Sequence, residues 1–541
     1  MKTSIMKVVI CWTSFLISVG LVISVANAQT PVHYEFQKLM AADGATDDVF
    51  GGAVAVDGET IFVGVPLDDA AGWKSGSVYV FRQTDSGQWV QRARITAKDG
   101  GEFGFFSRSV VLDGDTALIG ASEAAYIFGR DASGEWVEKV KLLPWDGAVN
   151  NYFGEKVALD GDTAAVGASL DDDNGVNAGA VYVFMRNSDA AWSGQAKLLA
   201  SDSGINEHHF GSSVTLADDT ILVGALDNER GTMSGAVYAF RRAANGLWEQ
   251  ESKLMASDGD MFDFFGIAAT VGGNPVALEG DTALIGAIGD DDNGWQSGSV
   301  YVFLRGAAGE WLEDAKLLPE DGGWHDDFGR NIAINRDAAV ISGNEGDVNQ
   351  IEPGTAYLFT RSGSGEWTEQ AMLLASDGVN EDIFGRAVAL AGRTAVVGAP
   401  NDDSVGSAYV FDVSSFLGPT EIAIDFKPDS NNNVINPRSR GRFWVGILSD
   451  EAFDAVQVDP ASVRLGARAA SVDKYLVRDS NYDGVADLLV RFRTPSVGIV
   501  CGDISVELTG QTYDGLEIVG EDDLTTVGCE KPKPKKKGKK R

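Results

Sequence analysis

Apolar and polar positions alternate over short stretches, and then break, through most of the chain from residue 33 to 413. Segment 153–184 shows the pattern clearly: FGEKVALDGDTAAVGASLDDDNGVNAGAVYVF. Period-2 alternation, β-branched and aromatic residues, and Asp/Asn/Gly clusters between the runs predict four short strands over 157–160, 162–168, 179–186 and 192–200. In the third, Tyr182 and Phe184 share one face while Val181 and Val183 share the other. Both faces are apolar, so such a sheet must be covered on both sides.

The pattern recurs seven times, with Phe-Gly landmarks placed at Phe50, Phe103, Phe153, Phe210, Phe265, Phe328 and Phe384. Self-similarity at a period of roughly 50–60 residues is the mark of a repeat architecture. A Trp opens the fourth strand at Trp89, Trp136, Trp192, Trp248, Trp311 and Trp367, and an Asp follows ten residues later at Asp99, Asp146, Asp202, Asp258, Asp321 and Asp377. Only six such strands serve seven repeats, because the chain leaves Phe411 for a different composition. The missing strand stands at the other end, in HYEFQKLMAADG, with His33 at the Trp position and Asp43 ten residues on. A first strand that completes the last blade closes a ring, whereas an open solenoid would need capping repeats. The expected fold is therefore all-β: a seven-bladed β-propeller over 29–415, closed by the N-terminal strand and followed by a small β-sandwich.

Phe-Gly, then VGA or IGA, then GAVYVF resembles the FG-GAP repeats of integrin α-subunit propellers and their bacterial secreted relatives, over about 380 residues. The resemblance implies an extracellular propeller used for adhesion or ligand binding. There is one departure. Integrin-type repeats often carry a DxDxDG calcium loop between the first and second strands, and here that connection is a tight turn such as Asp160-Gly161-Asp162.

The acidic runs lie instead between second and third strands, at Asp171-Asp172-Asp173 and Asp290-Asp291-Asp292, with a shorter one at Asp227. Strand alternation sends these loops to the same face as the loops that enter each Phe-Gly, with His208, His209, Trp324 and His325. An insertion over 267–275 emerges there too. Loops on a rigid scaffold are where binding usually sits, so this face is the candidate site for an extracellular protein or glycan ligand. The alternative is a set of solvated turns. Repeat two has no acidic loop and repeat six a rearranged one, so any site is asymmetric.

From residue 418 the composition shifts to short alternating runs with Asn/Pro/Ser turns, which predicts a β-sandwich over 419–529. It resembles a C-terminal module common in bacterial exported proteins. Within it, Asp479, Asn481, Asp483 and Asp487 offer oxygen at positions 1, 3, 5 and 9 of a loop, with Gly484 at the sharp turn and the Val485 carbonyl at position 7. That spacing suits structural Ca2+. An EF-hand would require Glu at position 12, where Val490 stands, so the expected site is a DxDxDG-type loop feeding a strand.

Composition sharpens the setting. Lys2 and Lys7, an apolar run and Ala26-Asn27-Ala28 read as a signal peptide over 1–28, a retained membrane anchor being the alternative. Cys11 then leaves with the signal, and Cys501 and Cys529 are expected to bridge in an oxidising compartment. Eight of the 44 basic residues lie in the tail 530–541, expected to be a disordered arm that contacts anionic envelope polymers, the chain's own acidic propeller or nothing. The remaining body is strongly acidic, which excludes non-specific binding of nucleic acid or anionic membrane and suits divalent cations and a soluble monomer. The four histidines, His33, His208, His209 and His325, form no zinc spacing, and no nucleophile elbow or phosphate loop occurs. A non-catalytic binding or adhesion protein is thus expected. A polysaccharide-acting enzyme and a structural matrix component are the alternatives.

Overall fold

The computed structural model describes residues 30–529 apart from 85, 203–206, 228, 230, 268–272, 344–353, 429, 431, 450–452 and 514–515. The expected signal peptide and basic tail lie outside the described residues. Seven sheets follow one another in chain order, and in each the strands supplied by its own repeat are antiparallel and lie in the order they occur. Blade three shows the plan: Val157–Asp160 innermost, then Thr163–Ala168, Ala180–Arg186 and Trp192–Leu198.

The two-faced third strand decides how blades stack. Tyr182 and Phe184 pack with Leu118 and Ile127 of blade two. On the opposite face Val181 and Val183 pack with Ile221 and Val223 of blade four. Every such side chain is fully or nearly fully buried, and each contributes about 1.5–3 kcal/mol of burial free energy. Covering both faces with like sheets leaves each blade dependent on its neighbours, so the ring must close.

It closes through the N-terminus, by two contacts rather than one. Gln37–Leu39 pairs antiparallel with Ser407–Asp412 and completes blade seven. The preceding Val32–Tyr34 pairs in parallel with Trp367–Leu374, the outer strand of blade six. His33 keeps its place beside blade seven through Asp412, whose carbonyl lies 2.9 Å from its Nε2, and through edge contact with Phe416. The N-terminal segment therefore clasps two blades.

One landmark needs correction. In repeat two the buried ring that packs on Tyr126 and Phe128 belongs to Phe106, not Phe103, which is exposed. Ser107 then occupies the glycine position. Elsewhere that glycine is in the left-handed region, as at Gly154 with φ 98°, where a Cβ would come within 2.1 Å of the Ala124 carbonyl. Ser107 adopts φ 84°, and its Oγ accepts the Val65 N–H at 2.9 Å. That bond offsets part of the strain a side chain incurs there.

Each fourth strand from blade one to blade six carries a one-residue bulge, such as the shift opposite Val183 and Phe184. A bulge re-aims the side chains beyond it. Five residues after the Trp this delivers Arg94, Lys141, Lys197, Lys253 and Lys316 towards the loop face, with Met372 in blade six. Lys38 takes the position in blade seven.

The C-terminal residues form a β-sandwich. One sheet runs from Thr420–Glu421 through Glu517–Asp523, Ser505–Gln511 and Arg464–Leu465 to Ala470–Ser471; the other joins Ile424–Phe426, Arg442–Ile447, Asp487–Arg493 and Lys474–Arg478. Phe426, Val445, Val490, Leu465 and Leu508 share one core between them. Cys501 and Cys529 are bridged, as expected.

Candidate functional site

The loops between second and third strands begin with a carboxylate that turns inward. In blade three Asp171 is 2 % exposed. Its Oδ1 accepts the Asp173 N–H at 3.2 Å and its Oδ2 accepts the Tyr182 hydroxyl at 2.8 Å. Asp172 stays outside and accepts the Asn177 N–H at 2.7 Å, which folds the loop on itself. Into this pocket comes Lys197, with its Nζ 2.8 Å from Asp146, 2.9 Å from Asp171 and 2.5 Å from Asp173. Asp146 is the residue ten after the previous Trp, so each cluster staples two blades.

The same arrangement recurs. In blade four Lys253 reaches Asp202 at 2.6 Å, Asp227 at 2.7 Å and Glu229 at 3.0 Å. In blade five Lys316 reaches Asp258 at 2.9 Å, Asp290 at 2.8 Å and Asp292 at 2.6 Å. Blade one uses Arg94 with Asp43 and Asp68, and blade seven Lys38 with Asp377 and Asp402. Blade two, whose loop has no aspartate at this position, keeps Lys141 on Asp99. Burial alone would lower the lysine pKa, but the surrounding carboxylates and the tyrosine hydroxyl more than offset it and hold Lys197, Lys253 and Lys316 far above their ordinary value. These ammonium groups are permanent.

Among the described residues, two sets of three carboxylates have the geometry to hold a metal ion: Asp202, Asp227 and Glu229, and Asp258, Asp290 and Asp292. They are the groups around Lys253 and Lys316. Each ammonium already contacts all three acids, so a dication would have to displace a covalently attached cation. The donor sets do not fit a metal while the lysine is there.

Of the residues expected on a ligand face, Asp171, Asp290 and His208 are therefore internal. His208 is 2 % exposed, 3.2 Å from the Tyr238 hydroxyl and 3.5 Å from Asp227. Asp173 and Asp292 are committed to lysine, and Asp291 folds its own loop by accepting the Gln296 N–H at 2.7 Å. His209 is half-buried, its pKa lowered by burial. Trp324 and His325 are exposed, and His325 packs edge-on against Trp295 with ring centres 4.6 Å apart.

The sequence reading placed Trp324 on this face and missed the other aromatic residues beside it. Trp73, Trp295 and Trp324 are 54, 53 and 64 % exposed, and all stand on this face. Trp73 meets Phe103 of the next repeat at 4.8 Å, edge to face, with Lys74 over its ring. The displaced landmark Phe103 is thus half of a surface aromatic pair. Met261 and Phe262 are exposed at a third junction. The available signal was a large apolar residue inside an Asp/Asn/Gly loop, as in DDDNGWQSG.

In the C-terminal module Asp479, Asn481 and Asp483 are brought together on an exposed loop. Asp479 accepts the Tyr482 and Gly484 N–H groups, and Asn481 Nδ2 donates to Asp483 at 2.7 Å. Asp483 in turn accepts the Val485 N–H at 2.8 Å. Asp487 is fully buried and accepts from Ser449 N and from Ser480 N and Oγ. The oxygen donors and sharp turn fit a calcium ion held by the first three side chains and the Val485 carbonyl, with Asp487 bracing the loop.

Comparison with known proteins adds the family. The FG-GAP repeat family matches seven segments, 34–81, 89–135, 136–184, 192–240, 248–303, 311–359 and 367–411. No curated protein matches the chain. Among solved structures, a protein from Lactobacillus plantarum is 14 % identical with a TM-score of 0.41, covering 63 % of this chain and 89 % of its own. The Pseudomonas aeruginosa periplasmic gluconolactonase PpgL is 15 % identical with a TM-score of 0.36, covering 61 and 86 %. Likeness at that level carries no functional weight.

Proposed function

The chain belongs to the FG-GAP repeat family, and from that premise we propose that it is an exported binding protein whose loop face captures an extracellular glycan or protein. The observation that carries this reading is the set of exposed aromatic residues at blade junctions on one face, above carboxylate clusters that already hold a lysine or arginine of the chain. Exposed aromatics gathered on one face mark interaction sites, and rigid rings bury large area at low entropic cost. Calcium supports the C-terminal loop in this reading and takes no part in ligand contact. The disulfide suits an oxidising compartment, and among the described residues no helix is long and apolar enough to cross a membrane.

A glycan and matrix-protein array tests it. Binding by the wild type, unaffected by EDTA and lost in a Trp295→Ala/Trp324→Ala variant, is expected. Ligand capture that survives this variant and its Trp73→Ala counterpart would place the site elsewhere, and no capture at all would leave a structural matrix role. Turnover of a polysaccharide panel would replace binding with catalysis.

A further inference from the structure

In blades three and four the residue three places after the Trp reaches across to the next blade. Gln195 accepts the Trp248 indole N–H at 3.0 Å and donates to the Gly246 carbonyl at 3.2 Å. Glu251 holds Arg305 of blade five by two hydrogen bonds, from Nη2 at 2.7 Å and from Nε at 3.1 Å. In blade one that place belongs to Arg92, and in blade two Arg130, opposite Trp136, stands where Arg305 stands opposite Trp311. A second guanidinium thus takes the place of the carboxylate.

Between blades one and two lies a cleft of about 610 Å³, lined by Glu59, Arg82, Arg92, Arg130, Glu135 and Trp136 among others. That is the size of a small-molecule site. Arg130 is held in it from three sides: its guanidinium lies 5.0 Å from the Trp136 ring centre, donates to the Thr60 hydroxyl at 2.8 Å and pairs with Asp115 at 3.2 Å. Its Nε, the atom that in Arg305 meets Glu251, makes no hydrogen bond among the described residues. Arg92 is exposed and has no hydrogen bond or ion pair among them either, and Arg82 reaches Glu59 only at 3.4 Å. On the opposite wall the Glu135 carboxylate is exposed and likewise unpaired. These residues sit at the ends of the strands remote from the acidic loops, so the cleft stands apart from the aromatic junctions and does not depend on what they bind.

We propose that this cleft binds a carboxylated sugar, whose carboxylate takes the place that Glu251 fills between blades four and five and whose hydroxyl groups donate to Glu135. A carboxylate accepts charge-assisted hydrogen bonds from guanidinium groups, and the planar fork of an arginine already fixed by a Trp loses little freedom in making them. The unpaired Glu135 supplies the second requirement: it repels a bare anion and accepts the hydroxyl protons that a sugar acid carries and a simple carboxylate lacks.

Isothermal titration of the full chain with galacturonate, galactose, acetate and trigalacturonate, at constant ionic strength, tests it. Galacturonate is expected to bind saturably with Kd on the order of 1 mM or tighter, and galactose and acetate at least about tenfold more weakly. Trigalacturonate about tenfold tighter than the monomer would assign a stretch of an acidic glycan, and equal affinity a single sugar acid; either supports the site. Arg92→Gln should weaken galacturonate binding about tenfold or more, while Lys139→Gln, at the same place in blade two, leaves it within about twofold. Arg92→Glu is the sharper variant: by restoring the Glu251 arrangement it should pair with Arg130 and abolish binding while the melting temperature holds or rises. No saturable binding of galacturonate, galactose or acetate bound as tightly as galacturonate, or binding indifferent to both Arg92 variants overturns the proposal.

Discussion

The blade clusters and the loop over 479–487 look alike in sequence, both being short runs of Asp and Asn ending near a Gly, yet they meet the same electrostatic need differently. In blades three to five the counter-cation is a lysine from the bulged fourth strand, tethered within 3.0 Å of its acids. Around Asp479, Asn481 and Asp483 the side chains satisfy one another and nearby backbone N–H groups, and among the described residues no lysine pairs with them. A tethered cation is present at every calcium concentration; a dissolved one must be recruited. The comparison teaches that acidic spacing identifies a cation site without saying whether that cation is part of the chain.

Removing a tethered cation is the most severe test. Lys316→Met should leave Asp290 buried without its partner and cost about 3–5 kcal/mol, seen as a lower urea midpoint. Calcium should then restore part of the loss, because the vacated carboxylates regain metal-site geometry. An unchanged midpoint would mean the ammonium contributes nothing; loss without calcium rescue would mean the geometry collapses when the lysine goes.

Acid–base behaviour separates two kinds of blade carboxylate. Burial pushes Asp263 up to about 6, with Asp290 and Asp260 adding to it. A folded pKa above the unfolded value means its stabilising contribution is full below pH 3.8 and is lost as pH rises through 6. Asp263→Asn should therefore gain about 1–2 kcal/mol at pH 7 relative to pH 4. For Asp146, Asp202 and Asp258 burial opposes the change, yet bonds from lysine and tyrosine lower the pKa, so their contribution is present above the unfolded value and lost as pH falls through the folded one. Thermal melts across pH 3–8 check both signs, and a variant with the wild-type pH profile would refute the Asp263 assignment.

At the C-terminal loop, calcium at about ten times its dissociation constant should stabilise by about 1.4 kcal/mol, read as a calorimetric shift that disappears in Asp483→Ala. A shift retained in that variant would move the ion elsewhere. The smallest effect is expected at Ser107→Gly, where relief of the left-handed strain and loss of the bond to Val65 nearly cancel, within about 0.5 kcal/mol. A larger loss would make the hydroxyl, not the backbone, the reason serine stands there.

Blade number, strand limits and ring closure were legible in the chain because they follow local periodicity: Trp, Asp ten residues on, and a two-faced YVF strand. Even the lysine five residues after four of the six Trp, with Arg94 after Trp89, was in plain view. Its meaning was not, because Asp146 and Lys197 lie in different blades, 51 residues apart, and only the bulge and the curvature of the ring bring them together. The same holds for Phe103 and Phe106, both next to small residues, where packing on Tyr126 decides which ring is core and which is surface. The sequence by itself determined a ring of seven β-sheets with a sandwich after it. Tertiary structure decided which acids remain free to meet a ligand, since that depends on cations and aromatics supplied by neighbouring blades.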